Sequence, residues 1–258
     1  MSHAHALRPL LNYLLRVALG ERLLATVLAT MVASAALAAF LGSTALVEQR
    51  EFAAVLAANA GRLLVVLALV LFICFHVRRA FDSREVDLLL ARPISRFDFV
   101  LAYVVMLILS AALMAALAGL AVGLIARPGL VACGWWTLSL FVEAMVVAVA
   151  ALFFALALGN GVTSALACLG LYALGRLIGL LGGIAAAQSD AGPLERMLDQ
   201  LVGLLALVLP RLDLLGRSAW LVHGVGDPGQ VATALLQGAL YVLLLGAAAS
   251  FDFGRRQL

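Results

Sequence analysis

The sequence predicts an all-α, polytopic membrane protein, and three observations carry that expectation. Hydrophobic residues make up 65% of the 258 and charged residues only 12%, with a mean hydropathy of +1.13. A soluble fold of this length needs far more polar surface. The apolar residues also fall in runs of roughly 20, enough at about 1.5 Å per residue to cross a hydrocarbon core of about 30 Å. Finally, charge is gathered rather than spread: nine of the 31 charged side chains lie within the 21 residues from Arg78 to Asp98.

The elements are expected as follows, all within a single membrane domain spanning 1–258. Residues 1–22 carry Leu7, Leu10, Leu11, Leu14, Leu15 and Val17 at helical spacing, with Arg8, Asn12, Arg16 and Glu21 elsewhere. That pattern suits an N-terminal amphipathic helix in the membrane interface, and a plain extension of the first span fits the same residues. The apolar run after Arg22 is longer than a signal peptide's core, so it is read as an uncleaved first span. Six spans are expected, at Leu23–Leu41, Ala57–Val77, Phe99–Ile125, Trp135–Leu158, Val162–Ala187 and Gln230–Phe251. Gly159-Asn160-Gly161 reads as a tight turn between the fourth and fifth. Within the segment 188–229, Met197–Leu209 is too short for a confident span and ends at Pro210. It is expected to be a short re-entrant or outer-face helix.

Composition excludes several kinds of chemistry. All 17 basic residues are Arg, so neither a phosphate loop of the Walker type nor a Schiff-base lysine is available. The bias itself suggests a GC-rich bacterial genome. Cys74, Cys133 and Cys168 lie far apart without a CxxC pair, which argues for free thiols over disulfides or zinc. His76 and His223 sit near opposite membrane edges, unlike a haem ligand pair. No catalytic residue set, bound metal or cofactor is expected.

The net charge of +3 is read as topology and not as nucleic-acid affinity. With the N-terminus in the cytoplasm, Arg8, Arg16, Arg22, Arg78, Arg79, Arg84, Arg92, Arg96, Arg255 and Arg256 fall inside. Arg50, Arg62, Arg127, Arg196, Arg211 and Arg217 fall outside, so both termini are expected to be cytoplasmic. Trp135 and Trp136 are then expected at the outer interface as ring anchors.

The island 78–98 offers more than topology requires. Asp82–Leu90 can form a short helix with Val86 and Leu89 on one stripe, and Arg78–Asp82 is an i,i+4 pair. Pro93 stops that helix. Ser95-Arg96-Phe97-Asp98 is a capping box that starts the third span. A solvated positive-inside loop explains the arginines, whereas a docking surface also explains the corner.

Two ionisable residues fall inside spans. Glu143 and Arg176 stand at similar depths on consecutive spans, and an unpaired charge there costs on the order of 3 kcal/mol. A structural ion pair and a substrate contact are both open readings. Span five also carries Gly175, Gly179 and Gly183 at small-xxx-small spacing, which fits either packing within the chain or a helix–helix dimer contact.

The segment Asp87-Leu88-Leu89-Leu90-Ala91-Arg92-Pro93-Ile94-Ser95-Arg96 resembles the LLLARPVSR-type element of type-2 ABC-transporter permeases. Leu209-Pro210-Arg211-Leu212-Asp213-Leu214 is similar to the segment before that family's last span, and Phe251-Asp252-Phe253-Gly254-Arg255-Arg256 to its C-terminal end. The resemblance implies a cytoplasmic coupling helix that docks on a separate ATPase subunit through Arg84, Glu85, Asp87, Leu88, Leu89, Arg92, Pro93, Ser95 and Arg96. Arg84 and Glu85 depart from the family's usual Gly-Thr. It further implies a dimer with a second copy or a related permease, and span five at the interface. ATP and Mg would be bound by the partner subunit only. The layout is also similar to permeases linked to multicopper-enzyme maturation, including nitrous oxide reductase. The function implied is export across a bacterial cytoplasmic membrane, and an apolar path suits lipid-like or amphiphilic cargo. Two other classes stay open: a membrane anchor or assembly subunit for a redox or cofactor-maturation complex, and an ion-coupled secondary carrier.

Overall fold

The computed structural model describes residues 22–44, 49–83, 96–127, 129–187, 200, 203–205 and 208–255. Among them the elements are helical: α1 (Arg22–Thr44), α2 (Gln49–Asp82), α3 (Arg96–Ala126), α4 (Leu130–Ala157), α5 (Gly161–Ala187), a 3-10 turn (Leu212–Leu214), α6 (Ala219–His223) and α7 (Pro228–Arg255). Five of these, α2, α3, α4, α5 and α7, contain stretches long and apolar enough to cross a membrane. The chain is a multi-pass membrane protein. The first expected span, Leu23–Leu41, falls on α1. The expected interfacial helix at 1–22 lies outside the described residues except for Arg22, which begins α1. Most of Met197–Leu209 lies outside them too.

Helix α2 illustrates why these are membrane helices. Val65, Leu69, Ile73 and Val77 are buried along one stripe, while Leu63, Leu67, Leu71 and Phe75 are exposed along another. A helix apolar on both its inner and outer faces suits lipid and not water. The bundle is built around α4, which packs against α2, α3, α5 and α7, and α2 in turn packs against α1, α3, α5 and α6.

Several boundaries differ from expectation. Helix α2 runs unbroken through Asp82, and Ser83 N–H still donates to Arg79 O at 2.9 Å. Asp82 therefore ends the second long helix; it does not begin a separate short one. The Arg78–Asp82 pair closes at 2.8 Å on that last turn. Helix α4 begins at Leu130, so Trp135 and Trp136 are inside it and not at its end. Trp136 is fully buried in the core and only Trp135 is partly exposed, so a single ring of the expected anchor pair reaches the surface.

The joints fit their residues. Asn160 Oδ1 accepts from Val162 N at 2.8 Å and caps α5. Ser164 Oγ ties that turn back to Phe154 O at 3.0 Å. Asp227 precedes Pro228 at the start of α7 and accepts from Gly229 N at 2.9 Å, a proline-led helix start.

Candidate functional site

A largely irregular strap, Pro210–Arg217, lies against α2, α4 and α5 in the half of the bundle where α2 and α4 begin. Its own sequence gives it little regular structure, a single 3-10 turn and then Gly216 at φ +60. Leu212 and Leu215 fill the core beneath it, each about 2% exposed. Buried apolar side chains hold the strap down, but its backbone polar groups are buried with them and need partners.

Those partners are side chains on three different helices. Arg176 Nη1 on α5 donates to Leu212 O at 2.5 Å and to Leu215 O at 2.8 Å. Arg62 Nη1 on α2 donates to Gly216 O at 2.7 Å, and its Nη2 is held by Asn59 Oδ1 at 2.8 Å. Ser139 on α4 gives its hydroxyl proton to Trp136 O at 2.8 Å, which leaves its oxygen to accept from Gly216 N at 3.1 Å. The guanidinium donors make the three arginine bonds to the strap among the stronger hydrogen bonds available.

Glu143 supplies the counter-charge. Its side chain is completely buried, and its Oε1 lies 3.6 Å from Arg176 Nε. Tyr172 OH donates to the same oxygen at 3.1 Å. The structure thus brings Glu143 and Arg176 together across α4 and α5. Glu143 Oε2 and Arg62 Nε have no hydrogen-bond partner among the described residues.

Gly175 and Gly179 sit under the strap. A Cβ at Gly175 would fall 2.7 Å from Pro210 O, and one at Gly179 would overlap the Asp213 carboxylate. Of the two readings open for these two glycines, packing within the chain is the one with a described contact. The space that the absent side chains leave is taken by Pro210 O and the Leu212 side chain at Gly175 and by the Asp213 side chain at Gly179. For Gly183 only the helical backbone is described.

Arg62 was not among the sequence-derived site residues; it was counted with the outside arginines. It stands within α2, about 20 Å along from Gln49 at 1.5 Å per residue, and Glu143 stands equally far along α4 from Leu130. A lone arginine inside an apolar run, at the depth of a lone glutamate, was the available signal. Ser139 and Gly216 carried no comparable one.

At the other end, Arg84, Glu85, Asp87, Leu88, Leu89, Arg92, Pro93 and Ser95 lie outside the described residues. Arg96 is described by its backbone alone, as the first residue of α3. Cys74 and Cys168 are buried free thiols and Cys133 is partly buried. Among the described residues no cluster of three His, Cys, Asp or Glu could hold a metal ion.

No family model matches the chain, and no curated protein matches it either.

Proposed function

We propose that this chain is the membrane subunit of an ATP-driven exporter of the type-2 ABC-permease kind. In this reading separate ATPase subunits grip the island and move the helices on either side of it. The observation that carries the reading is where the island stands. Helix α2 continues to Asp82 and α3 begins at Arg96, so the charged residues between them connect two long membrane helices directly in sequence. A force on that segment passes directly into α2, which contacts α1, α3, α4, α5 and α6, and so into most of the bundle. The residues Asp87–Arg96, similar to the family's coupling element, fall on that segment.

In this reading α1 is a sixth crossing, both termini lie in the cytoplasm with the island, and the strap faces the outside. Arg62 no longer belongs to the outside arginines. Removing it leaves Arg50, Arg127, Arg196, Arg211 and Arg217 there and strengthens the inside bias. The cargo is apolar or amphiphilic, in keeping with the character of the helices. A second copy of the chain or a related permease completes the path at a surface other than the one under the strap.

Affinity purification of the chain from its own host membranes tests the proposal. The expected result is a co-purifying subunit that hydrolyses ATP, in a fixed ratio to this chain. A pure chain without ATPase activity under the same mild conditions contradicts it.

A further inference from the structure

We propose that the strap is a two-position element, and that Arg62 switches it by exchanging one partner for another. In the seated position Arg62 Nη1 holds Gly216 O, and Glu143 Oε2 accepts nothing from the described residues. Gly216 stands between the two groups. A Cβ built on it would lie 2.6 Å from Glu143 Oε2 and 3.5 Å from Arg62 Nη1. Arg62 and the buried Glu143 carboxylate thus both border one glycine and already attract each other without a direct bond, although they are natural bidentate partners. If the strap lifts, Arg62 gives up one carbonyl and gains the open carboxylate oxygen. The charged groups of the site stay paired in both positions, which is what a bistable element requires.

Three further features fit a strap that can leave. It is joined to neither α5 nor α7 by continuous helix, and Gly216 and Gly224 both adopt positive φ on its α7 side. It rests on Gly175 and Gly179, so no α5 side chain interlocks with it at those positions. Its polar attachment is a small set of side-chain bonds, with Arg176 making two of them. Arg176 and Glu143 then have opposite parts. Arg176 favours the seated strap through two carbonyls that it loses on release. Glu143 favours the released strap, where it gains Arg62 as a direct partner.

This inference concerns the strap alone and stands or falls independently of any ATPase partner. The test uses the full chain in nanodiscs, with Cys74, Cys133 and Cys168 replaced by Ala and Leu215→Cys added as a reporter. A water-soluble maleimide is offered to both faces. The parent is expected to label slowly but measurably. Arg176→Gln should label roughly tenfold faster, because two charge-assisted bonds hold only the seated form. Glu143→Gln should label more slowly than the parent, because the released form loses its alternative pair. If Glu143 is only a structural counter-charge, Glu143→Gln labels as fast as the parent or faster, and the proposal is overturned. A parent that never labels, or an Arg176→Gln rate equal to it, also overturns it.

A second reporter guards against a folding defect of Leu215→Cys. A Cβ at Gly179 would stand 3.0 Å from Asp213 Cβ, so Gly179→Cys with Asp213→Cys can close a disulfide over the seated strap after a shift of a few tenths of an ångström. The cross-linked fraction should fall with Arg176→Gln and rise with Glu143→Gln. A fall with both variants refutes the exchange.

Discussion

At the strap end Arg176 meets Glu143 at 3.6 Å, with side chains 18% and 0% exposed. At the island end Arg78 meets Asp82 at 2.8 Å, with side chains 43% and 58% exposed. The closer pair is the weaker one. Water already solvates Arg78 and Asp82, so their attraction replaces little and salt screens it. Glu143 has no water to return to, and each arginine near it also satisfies a buried carbonyl. Distance alone therefore ranks these pairs in the wrong order, and burial corrects the ranking. The comparison also divides the molecule. Charge at the strap end is consumed in holding the fold, while the Arg78–Asp82 pair lies exposed on the last turn of α2.

The largest effect is expected from breaking the buried pair on one side. Arg176→Gln strands Glu143 and frees two strap carbonyls, and should cost about 3–5 kcal/mol, read as a lowered unfolding midpoint in detergent. Adding Glu143→Gln should restore about 0.5–3 kcal/mol, as contacting residues do. Additive losses would break the pairing side of the comparison.

Next comes Gly216→Ala. It meets positive φ and a carboxylate oxygen together, so a loss of about 1–3 kcal/mol is expected. Gly224→Ala shares the positive φ but has open space around its Cβ, so only the backbone cost of about 1 kcal/mol should remain. Equal losses at the two glycines would mean that the wedge between Arg62 and Glu143 contributes nothing. The smallest effect is expected at the island end, where Arg78→Ala should change stability by less than about 1 kcal/mol and less still in high salt.

The long apolar spans were legible in the sequence because composition and length alone specify them. Glu143 and Arg176 were legible for the same reason, since a charge in an apolar run stands out. The strap was not. Its contacts join residues far apart in the chain, Arg62 with Gly216 and Ser139 with Gly216, and no local period marks them. The glycine spacing on α5 was visible, but spacing does not say what fills the groove, and the filler is Pro210 O with the Leu212 and Asp213 side chains. The sequence reading ended the second span at Val77 and began a separate short helix at Asp82, whereas α2 runs on through Asp82. An i,i+4 pair lets a helix continue past the membrane edge into water.

The proposed division between a strap end that holds the fold and an island end that binds an ATPase is tested most directly by one co-purification. The chain carrying Arg84→Ala, Glu85→Ala and Asp87→Ala is purified beside the parent, with the unfolding midpoint of each recorded. The account predicts an unchanged midpoint and loss of nearly all the ATPase subunit. Full retention of the ATPase by a correctly folded triple variant would contradict it.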